Sequence, residues 1–395
     1  MSGQNKHSAL FINSGILGHR SVLKLLRDCV QSDREIDSCH IDLSEGLTIN
    51  DRALRRLICF QALGATRFSG TNIDLARWRH ELHCGLLAAR RIRACEQRLG
   101  RFDVLHFHTQ AAAYMSLGRM KRVPSIVSID CTQRLASQEA GSRLERATYW
   151  PNIIHDRAVF RAAAAIIATS RWAADDLARE HPDCAQKLHV MPYPVRLESF
   201  QKRWIEQRHA RFEADEDARV RILFIGGDFN RKGGPELLAA WKAGDFAARA
   251  ELKLVTDWPI NEADLPRGAS VIRQVAPFTD KWADLWQEAD MFVMPTRGEA
   301  FGMVYQEAAA AGLPAIGTRI NAVPEIIADG VTGLLVEPGD ERGLVRAIET
   351  LIDSAHFRYR LGSAARKRAE NDWHPDIYAE KLTALIKQLA AGNSH

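Results

Sequence analysis

Short apolar runs alternate with longer amphipathic segments along this chain, and each pattern predicts a different element. A brief apolar run bounded by turn-forming residues is typical of a buried strand, whereas apolar residues three or four positions apart favour a helix. We predict strands at residues 8–13, 102–108, 124–130, 163–169 and 291–294. We predict helices at residues 21–30, 171–179, 201–218, 303–311, 365–373 and 377–389, and over most of 50–98. Alternating strands and helices indicate an α/β fold.

The order of elements with which such a fold begins occurs twice in the sequence. A strand, a glycine-containing loop and a helix follow one another from residue 8 and again from residue 220. Because this order begins a doubly wound sheet, we predict two Rossmann-like domains. Two prolines stiffen the segment just before residue 200. We therefore expect domains at residues 1–200 and 201–372, a final segment at 373–395, and a ligand in the cleft between the domains.

Length and composition fit a protein with two cores in a reducing compartment. The chain has 395 residues, of which 46% are hydrophobic and 26% charged. Its start lacks the shape of a secretion signal, and no apolar run approaches the ~20 residues that span a bilayer. The seven cysteines are an odd number and include no CxxC pair, which favours free thiols. We expect a cytoplasmic protein.

Basic residues concentrate in the first half of the chain, although the formal net charge is only +4. They are most visible at residues 77–79 and 90–93. One interpretation is contact with the inner face of an anionic membrane that carries a lipid-linked acceptor. The other is a solvated, arginine-rich helix face. A nucleic-acid partner is not expected, because no aromatic stacking platform is interleaved with the basic residues.

The most informative segment spans residues 295–312 and reads as a glycine-bearing loop that runs into a helix. Glu299 lies in the loop and Glu307 one turn into the helix. The N-terminus of a helix suits a phosphate, because it offers unpaired N–H groups and a positive dipole end. One of the two acids could then bind hydroxyls on one side of a diphosphate, and the other acid could bind hydroxyls on the far side. A nucleotide-sugar has hydroxyls on both sides of a diphosphate in this way. The alternative is a chance spacing in which Glu307 is merely solvated.

A second motif spans residues 226–238. Its glycines open the backbone, and Arg231 and Lys232 come just before a helix that begins near Pro235. Lys232 is a compact cation suited to a diphosphate, and Arg231 could add a bidentate contact. The alternative is an exposed basic turn.

The first half offers weaker candidates. Gly15 and Gly18 follow the first strand and would allow a ligand to approach the backbone, but their spacing is not GxGxxG. His106 and His108 share one face of a strand, where they could ligate a metal or simply pack, and no third ligand is evident. Asp130 ends the next strand, where it could orient or deprotonate an acceptor hydroxyl or merely form a turn.

The pattern Glu299, seven residues, Glu307, with Phe301 and Gly302 inside it, resembles the sugar-nucleotide site of the retaining glycosyltransferases of family four, also called group 1 glycosyltransferases. The likeness continues in the same order through residues 315–318, 323–325 and 329–336. It is strong over about 220–340 and weaker towards the start of the chain.

The resemblance implies the GT-B fold, in which two doubly wound domains face a cleft and a final helix packs back on the first domain. It implies transfer of a sugar, with retention at the anomeric carbon, from a UDP- or GDP-sugar to a saccharide or lipid-linked acceptor in polysaccharide, lipopolysaccharide or glycolipid assembly. The catalytic residues would be Glu299, Lys232 and Asp130; the donor-binding residues would be Arg231, Phe301, Gly302, Met303, Val304, Glu307 and Gly15; and the acceptor side would include Gly18 and His108. We expect no cofactor and no metal, since Lys232 and the helix end can stabilise the leaving diphosphate.

Two departures from the family pattern keep other functions open. The family usually has a histidine where this chain has Asp130, and an arginine after the first glycine where this chain has Gly227 and Asp228. Arg231 could replace that arginine. A non-catalytic nucleotide-sugar-binding paralogue would bind nucleotide without turnover, and an epimerase on the same fold would convert the donor without an acceptor. A nicotinamide dehydrogenase fits least, since the GxGxxG is absent.

Overall fold

The computed structural model describes residues 6–15, 19–31, 33–60, 67–68, 71–72, 74–215 and 218–392. The chain divides into a first unit, residues 1–193 and 375–395, and a second unit, residues 194–374. The divisions fall near the expected positions 200 and 372, a few residues to either side. No helix in the described part of the chain is both long and apolar enough to cross a membrane.

The first unit contains a six-stranded parallel sheet. Its strands are β1 (His7–Asn13), β2 (Ile36–Asp42), β5 (Val104–His108), β6 (Ser125–Ile129), β7 (Ala165–Ala168) and β8 (Leu188–Val190), in the order β2-β1-β5-β6-β7-β8. The short strands β3 (Arg67–Phe68) and β4 (Thr71–Asn72) form a separate antiparallel pair.

Helices cover this sheet and bury its apolar side chains. They are α1 (His19–Gln31), α2 (Ile49–Ile58), α3 (Ala76–Leu99), α4 (Gln110–Ala113), α5 (Leu117–Met120), α6 (Gln133–Gln138), α7 (Arg143–Ala147), α8 (Trp150–Ala162) and α9 (Arg171–Glu180). The last helix of the chain, which is α17 (Pro375–Gly392), belongs to this unit and contacts α1, β1 and β5.

The second unit repeats the architecture with a second six-stranded parallel sheet. Its strands are β9 (Val220–Ile225), β10 (Ala250–Val255), β11 (Ala269–Ile272), β12 (Met291–Met294), β13 (Ala315–Thr318) and β14 (Gly333–Val336), in the order β11-β10-β9-β12-β13-β14. Its helices are α10 (Arg203–Ala214), α11 (Gly234–Ala243), α12 (Asp280–Glu288), α13 (Met303–Ala310), α14 (Val323–Ile326), α15 (Glu341–Asp353) and α16 (Ala355–Asp372).

The central strands are buried along their whole length, as parallel strands covered by helices on both faces must be. Every residue of β5, β6, β7 and β12 is buried, which explains why β7 and β12 consist entirely of apolar residues. The predicted α/β class with two doubly wound sheets is confirmed.

Both sheets have a switch point, where successive strands begin to be added on the opposite side. It lies between β1 and β5 in the first unit and between β9 and β12 in the second. Loops at the carboxyl ends of the two strands diverge there and leave a crevice, which is where doubly wound sheets bind ligands. The switch point therefore identifies two short loops in each unit as the places to look for a site.

The sequence prediction did not include the strands β2, β8, β10, β11, β13 and β14, and it differs from the structure in residues 50–98. The strand β2 was not predicted, because its sequence Ile-Asp-Ser-Cys-His-Ile-Asp is polar and it lies at the edge of the sheet, where only Ile36 and Ile41 are buried. The predicted helical stretch 50–98 contains α2 and α3, but the strands β3 and β4 interrupt it.

Candidate active site

The two loops at the switch point of the second unit touch each other through their backbones. The loop after β9 ends at Gly233, which has a φ of +80°, and a β-carbon there would lie 1.9 Å from the carbonyl oxygen of Pro295. The N–H of Arg297 donates to the carbonyl oxygen of Arg231 over 2.8 Å. Only glycine fits at position 233, so the sequence itself brings the two predicted motifs together.

Lys232 and Glu299 meet at this contact as an ion pair between the Lys232 Nζ and Glu299 Oε2 atoms. Their side chains are 15% and 11% exposed. A pair so well shielded from water is much less weakened by salt than a surface pair. The two predicted catalytic groups therefore neutralise each other.

Arg231 links the same two loops through hydrogen bonds. Its Nη1 atom donates to the carbonyl oxygen of Gly298 over 2.7 Å, and its Nε atom lies 3.3 Å from Oδ2 of Asp228. The guanidinium group is therefore already bound to protein on two sides, although the side chain is 41% exposed. Its predicted contact with a diphosphate stays a prediction.

The helix α13 begins at this crevice. Gly302 caps it with a φ of +96°, and a β-carbon there would lie 2.8 Å from the Tyr305 ring. Phe301 is buried, while Met303 and Val304 are half-buried in the first turn. The first N–H groups of a helix have no acceptor within the helix and carry partial positive charge. This end of α13 can therefore bind an anion.

Glu307 lies one turn into α13. It keeps some solvent access, but burial of its carboxyl group raises the pKa to about 8. A carboxyl with this pKa is mostly protonated at neutral pH, so it can donate one hydrogen bond as well as accept others.

The switch point of the first unit contains three of the predicted residues. Gly15 follows β1 with a φ of +67°, and its N–H donates to Oδ1 of Asn13 over 2.7 Å. His108 ends β5 and is buried, with its Nε2 atom 3.0 Å from the Tyr193 hydroxyl. Asp130 follows β6, half-buried, and its Oδ1 atom accepts from the N–H of Cys131 over 2.8 Å. Gly18 lies outside the described residues.

His106 is packed inside the sheet. Its Nε2 atom lies 2.7 Å from the Ser128 hydroxyl, and complete burial lowers its pKa to about 3. No group of three potential metal ligands occurs among the residues that the structure describes.

The structure also reveals a pocket of about 470 Å³ in the first unit, which the sequence did not indicate. It opens at the carboxyl ends of β1, β2, β5 and β6 and is lined by Ser14, Leu43, Ser44, Leu47, Arg55, His80, Glu81, His83, Cys84, Leu87, Thr109, Gln110, Ala111, Asp130, Cys131 and Gln133. Thr109 has a φ of +108°, which is rare for a β-branched residue and is often found at functional sites. Asp130, predicted from the sequence, is one of these residues, whereas Glu81, half-buried on α3, was not singled out.

Comparison with known proteins identifies the family. A model described as "Glycosyl transferases group 1" matches residues 219–354, and one described as "Glycosyltransferase Family 4" matches residues 57–199. The chain belongs to the group 1 glycosyltransferases. It is therefore a sugar-transferring enzyme by family, and the resemblance seen in the 299–307 motif is confirmed.

Individual relatives are distant. A D-inositol 3-phosphate glycosyltransferase of Pseudarthrobacter chlorophenolicus is 26% identical over 296 residues, which are 69% of this chain and 67% of that protein.

Solved structures share the architecture over nearly the whole chain. Sucrose-phosphate synthase from Thermosynechococcus elongatus superposes with a TM-score of 0.73 at 18% identity, covering 98% of this chain and all of that one. HepE of Anabaena, solved with UDP-glucose, superposes with a TM-score of 0.65 at 15% identity, covering 96% and 99% of the two chains. At these identities the likeness establishes the fold, which is GT-B.

Proposed function

We propose that this glycosyltransferase transfers a sugar from a nucleotide-sugar to an acceptor hydroxyl and that the second unit binds the donor. The observation that carries the proposal is the meeting of Lys232 and Glu299 beside the N-terminus of α13, at the switch point of the sheet. A cation and a helix end suit a diphosphate, and carboxyl groups suit sugar hydroxyls. The shared fold with a protein solved with UDP-glucose supports a UDP-sugar, and a GDP-sugar is the alternative.

In this proposal the diphosphate binds the N–H groups of Gly302, Met303 and Val304 and the ammonium group of Lys232. Negative charge grows on the diphosphate as the bond to the sugar breaks. Positive groups fixed at that place stabilise the transition state more than the ground state, which is how they accelerate the reaction. Lys232 and the helix end would supply this charge without a metal ion.

Donor binding must open the Lys232–Glu299 pair. The diphosphate replaces Glu299 as the partner of Lys232, and Glu299 turns to the hydroxyls of the donor sugar. Glu307 binds the ribose hydroxyls, where a protonated carboxyl can act as both donor and acceptor. We propose retention at the anomeric carbon by analogy with the family whose motif this segment resembles.

We assign the acceptor side to the first unit, with Asp130 and His108 at the carboxyl ends of neighbouring strands. Asp130 orients or deprotonates the acceptor hydroxyl through its carboxylate. We propose that the acceptor is a saccharide or a lipid-linked molecule of polysaccharide, lipopolysaccharide or glycolipid assembly.

The surface of α2 supports a lipid-linked acceptor. Ile49 and Leu57 lie eight positions apart on one face of the helix and are 85% and 74% exposed, and the nearby Phe60 is 58% exposed. Arg52 and Arg56 are exposed on the neighbouring face. An apolar stripe flanked by arginines is typical of helices that lie on anionic bilayers, so we propose that α2 contacts the membrane.

Two observations favour a second candidate, a paralogue that binds nucleotide-sugar without transferring it. Oδ1 of Asp130 is used within its own turn, and Arg231 is bound by Asp228 and Gly298. This candidate predicts donor binding without turnover.

Thermal shift against UDP-, GDP- and ADP-sugars tests the donor site, with Lys232→Ala and Glu307→Ala beside the wild type. A ligand that binds the folded state raises the melting temperature. We expect one nucleotide-sugar to stabilise the wild type and neither variant. Equal shifts in all three proteins, or no shift with any donor, would contradict the donor assignment. Product analysis with acceptor then separates transfer from binding alone, and conversion without acceptor would indicate an epimerase.

A further inference from the structure

The pocket in the first unit contains a buried acceptor atom that has no partner. Gln133 is 9% exposed, and its Nε2 atom donates to Oε1 of Glu81 over 2.8 Å. This bond fixes the orientation of the amide, so the carbonyl oxygen Oε1 is the atom that remains. Among the described residues, no hydrogen-bond donor reaches this buried oxygen. Buried polar atoms are nearly always paired, so such an oxygen beside a pocket indicates that a ligand or water supplies the donor.

The Glu81 carboxylate beside it is held rigidly. Its Oε2 atom accepts from the Tyr114 hydroxyl over 3.0 Å and from Nδ2 of Asn152 over 2.5 Å. Tyr114 also contacts Asp156 over 2.8 Å, so two carboxyl groups share one hydroxyl. Burial raises the pKa of both carboxyls, that of Asp156 to about 8, so they can hold a proton between them. Such a network positions Glu81 in the pocket wall without using all of its lone pairs.

The polar wall of the pocket is therefore rich in hydrogen-bond acceptors. Asp130, which directly follows β6, lines the same pocket as Glu81 and Gln133. Apolar side chains line the pocket as well, among them Leu43, Leu47 and Leu87. A lining that combines hydrogen-bond acceptors with apolar side chains suits a molecule with several hydroxyl groups on a carbon frame.

The mouth of the pocket is basic. Arg55, His80 and His83 line both the pocket and an adjoining groove, which Arg52 and Arg56 also line. In the described part of the chain, none of these three arginines forms an ion pair with an acidic side chain, whereas the one acid of the groove, Asp51, pairs with Arg90 over 2.8 Å. Unpaired positive charge at the edge of a pocket attracts an anionic group.

We propose that this pocket binds the acceptor, and that the acceptor is a polyhydroxylated molecule with an anionic substituent such as a phosphate. Its hydroxyls donate to the Gln133 carbonyl and to Glu81, and its anionic group contacts Arg55. The word acceptor rests on the proposed transfer reaction, but the chemistry of the bound molecule rests on the pocket alone. Gln133 and Arg55 are then the residues that set specificity, one for hydroxyls and the other for charge.

The test is calorimetry with myo-inositol and glucose, their monophosphates, and inorganic phosphate. We expect a phosphorylated polyol to bind more tightly than its neutral counterpart and than inorganic phosphate. Gln133→Met keeps the volume of the side chain and removes the orphaned oxygen, so it should weaken binding of the polyols about tenfold and leave inorganic phosphate unchanged. Arg55→Ala should weaken binding of the probes that carry phosphate, including inorganic phosphate, and leave binding of the neutral polyols unchanged.

Matched variants control for indirect effects. Gln138→Met changes an exposed glutamine on the same helix, α6, and Arg93→Ala an exposed arginine on α3, and neither should alter binding. If Gln133→Met fails to fold, Glu81→Gln serves as the second variant, with Glu96→Gln on the same helix as its control. Failure of every polyol probe to bind, or full affinity in both Gln133→Met and Glu81→Gln, would overturn the proposal.

A further arm distinguishes a free polyol phosphate from a lipid headgroup. Vesicles of phosphatidylcholine with and without phosphatidylinositol are compared for binding to the wild type and Gln133→Met. Gln133-dependent binding to the inositol lipid alone would support the proposed chemistry and identify a membrane source, and Gln133-dependent binding to the free phosphate would support a soluble one. UDP binding is measured on the same samples. If the polyol probes bind but UDP does not, only the donor site is contradicted. If UDP binds but no polyol probe does, only the pocket proposal is contradicted.

Discussion

The two units hold their polar groups at equivalent places, the switch points of doubly wound sheets, but they assemble them in different ways. In the second unit, the site comes from two short segments, residues 226–233 and 295–307, whose charged groups Lys232 and Glu299 neutralise each other. In the first unit, the pocket draws single residues from several helices and leaves an oxygen of Gln133 without a partner. The charged groups of the second site are therefore paired with each other until a ligand competes for them. The pocket of the first unit instead has a buried oxygen that lacks a hydrogen-bond donor.

The largest effect should come from removing the cation of the second site. Lys232→Ala removes the charge that stabilises the leaving diphosphate, and the loss of one such group typically costs about 10²–10³-fold in rate. We expect a fall of that size in kcat/KM for the donor, measured as nucleotide release in the presence of acceptor. Lys242→Ala, an exposed lysine on α11, is the control and should keep full activity. A kcat/KM of Lys232→Ala within threefold of the wild-type value would contradict the proposed role of Lys232 in the second unit.

A smaller effect should come from the apolar surface of α2 in the first unit. Ile49→Ser with Leu57→Ser removes the apolar stripe of α2, and partial insertion of two such side chains is worth on the order of 1–3 kcal/mol. We expect at least about tenfold weaker binding to anionic vesicles in a sedimentation assay. The matched control, Leu99→Ser with Val331→Ser, changes two other exposed apolar residues and should bind like wild type. Equal loss in both double variants would contradict a role for α2.

The contact between the loops of the second site can be tested through its glycine. Gly233→Ala places a methyl group against Pro295 and forces a positive φ on alanine, which costs about 1–3 kcal/mol before the clash is counted. We expect the melting temperature to fall by several degrees and donor binding to weaken. Gly227→Ala, in the same loop but with open space around it, should change neither. Similar behaviour of the two variants would show that the loops do not need this close approach.

The smallest effect concerns pH, and it sharpens the comparison because each unit contains one carboxyl with a pKa near 8. The pKa of Asp156 rises from 3.8 to about 8, and that of Glu307 from 4.5 to about 8, in both cases mainly through burial. A raised pKa contributes stability at low pH that is lost as the pH rises through the folded value. We expect wild-type unfolding midpoints to fall between pH 5 and pH 9 relative to Asp156→Asn and Glu307→Gln. The exposed Asp175→Asn is the control, and parallel curves for all four proteins would contradict the burial of these carboxyls.

Much of the fold could be predicted because its signals are local. Strands such as β7 and β12 are continuous apolar runs. Serine is a residue type that favours helix N-caps, and the Oγ atom of Ser170 accepts a hydrogen bond from the N–H of Ala173 at the start of α9. The edge strand β2 could not be predicted in the same way, since only two of its residues enter the core and the pairing with β1 decides its conformation.

The candidate sites also differ in how far local sequence signals predict them. Glu299, Glu307 and Lys232 lie in contiguous motifs whose helix start and glycines are visible in the sequence. That Lys232 and Glu299 would pair could not be foreseen, because the contact depends on the approach of Gly233 to Pro295. The pocket around Gln133 could not be foreseen either, because Glu81 and Gln133 are 52 positions apart and the packing of α3 and α6 brings them together.

The most direct test of the donor assignment is the affinity of Glu299→Gln for UDP or GDP, whichever binds the wild type, measured by calorimetry. If the diphosphate competes with Glu299 for Lys232, neutralising the glutamate should strengthen nucleotide binding by about tenfold, or ~1.4 kcal/mol, even though sugar transfer falls. The double variant Lys232→Ala with Glu299→Gln should show no such gain. Unchanged or weaker nucleotide binding in Glu299→Gln would mean that Lys232 does not bind the diphosphate and would contradict the account of the donor site.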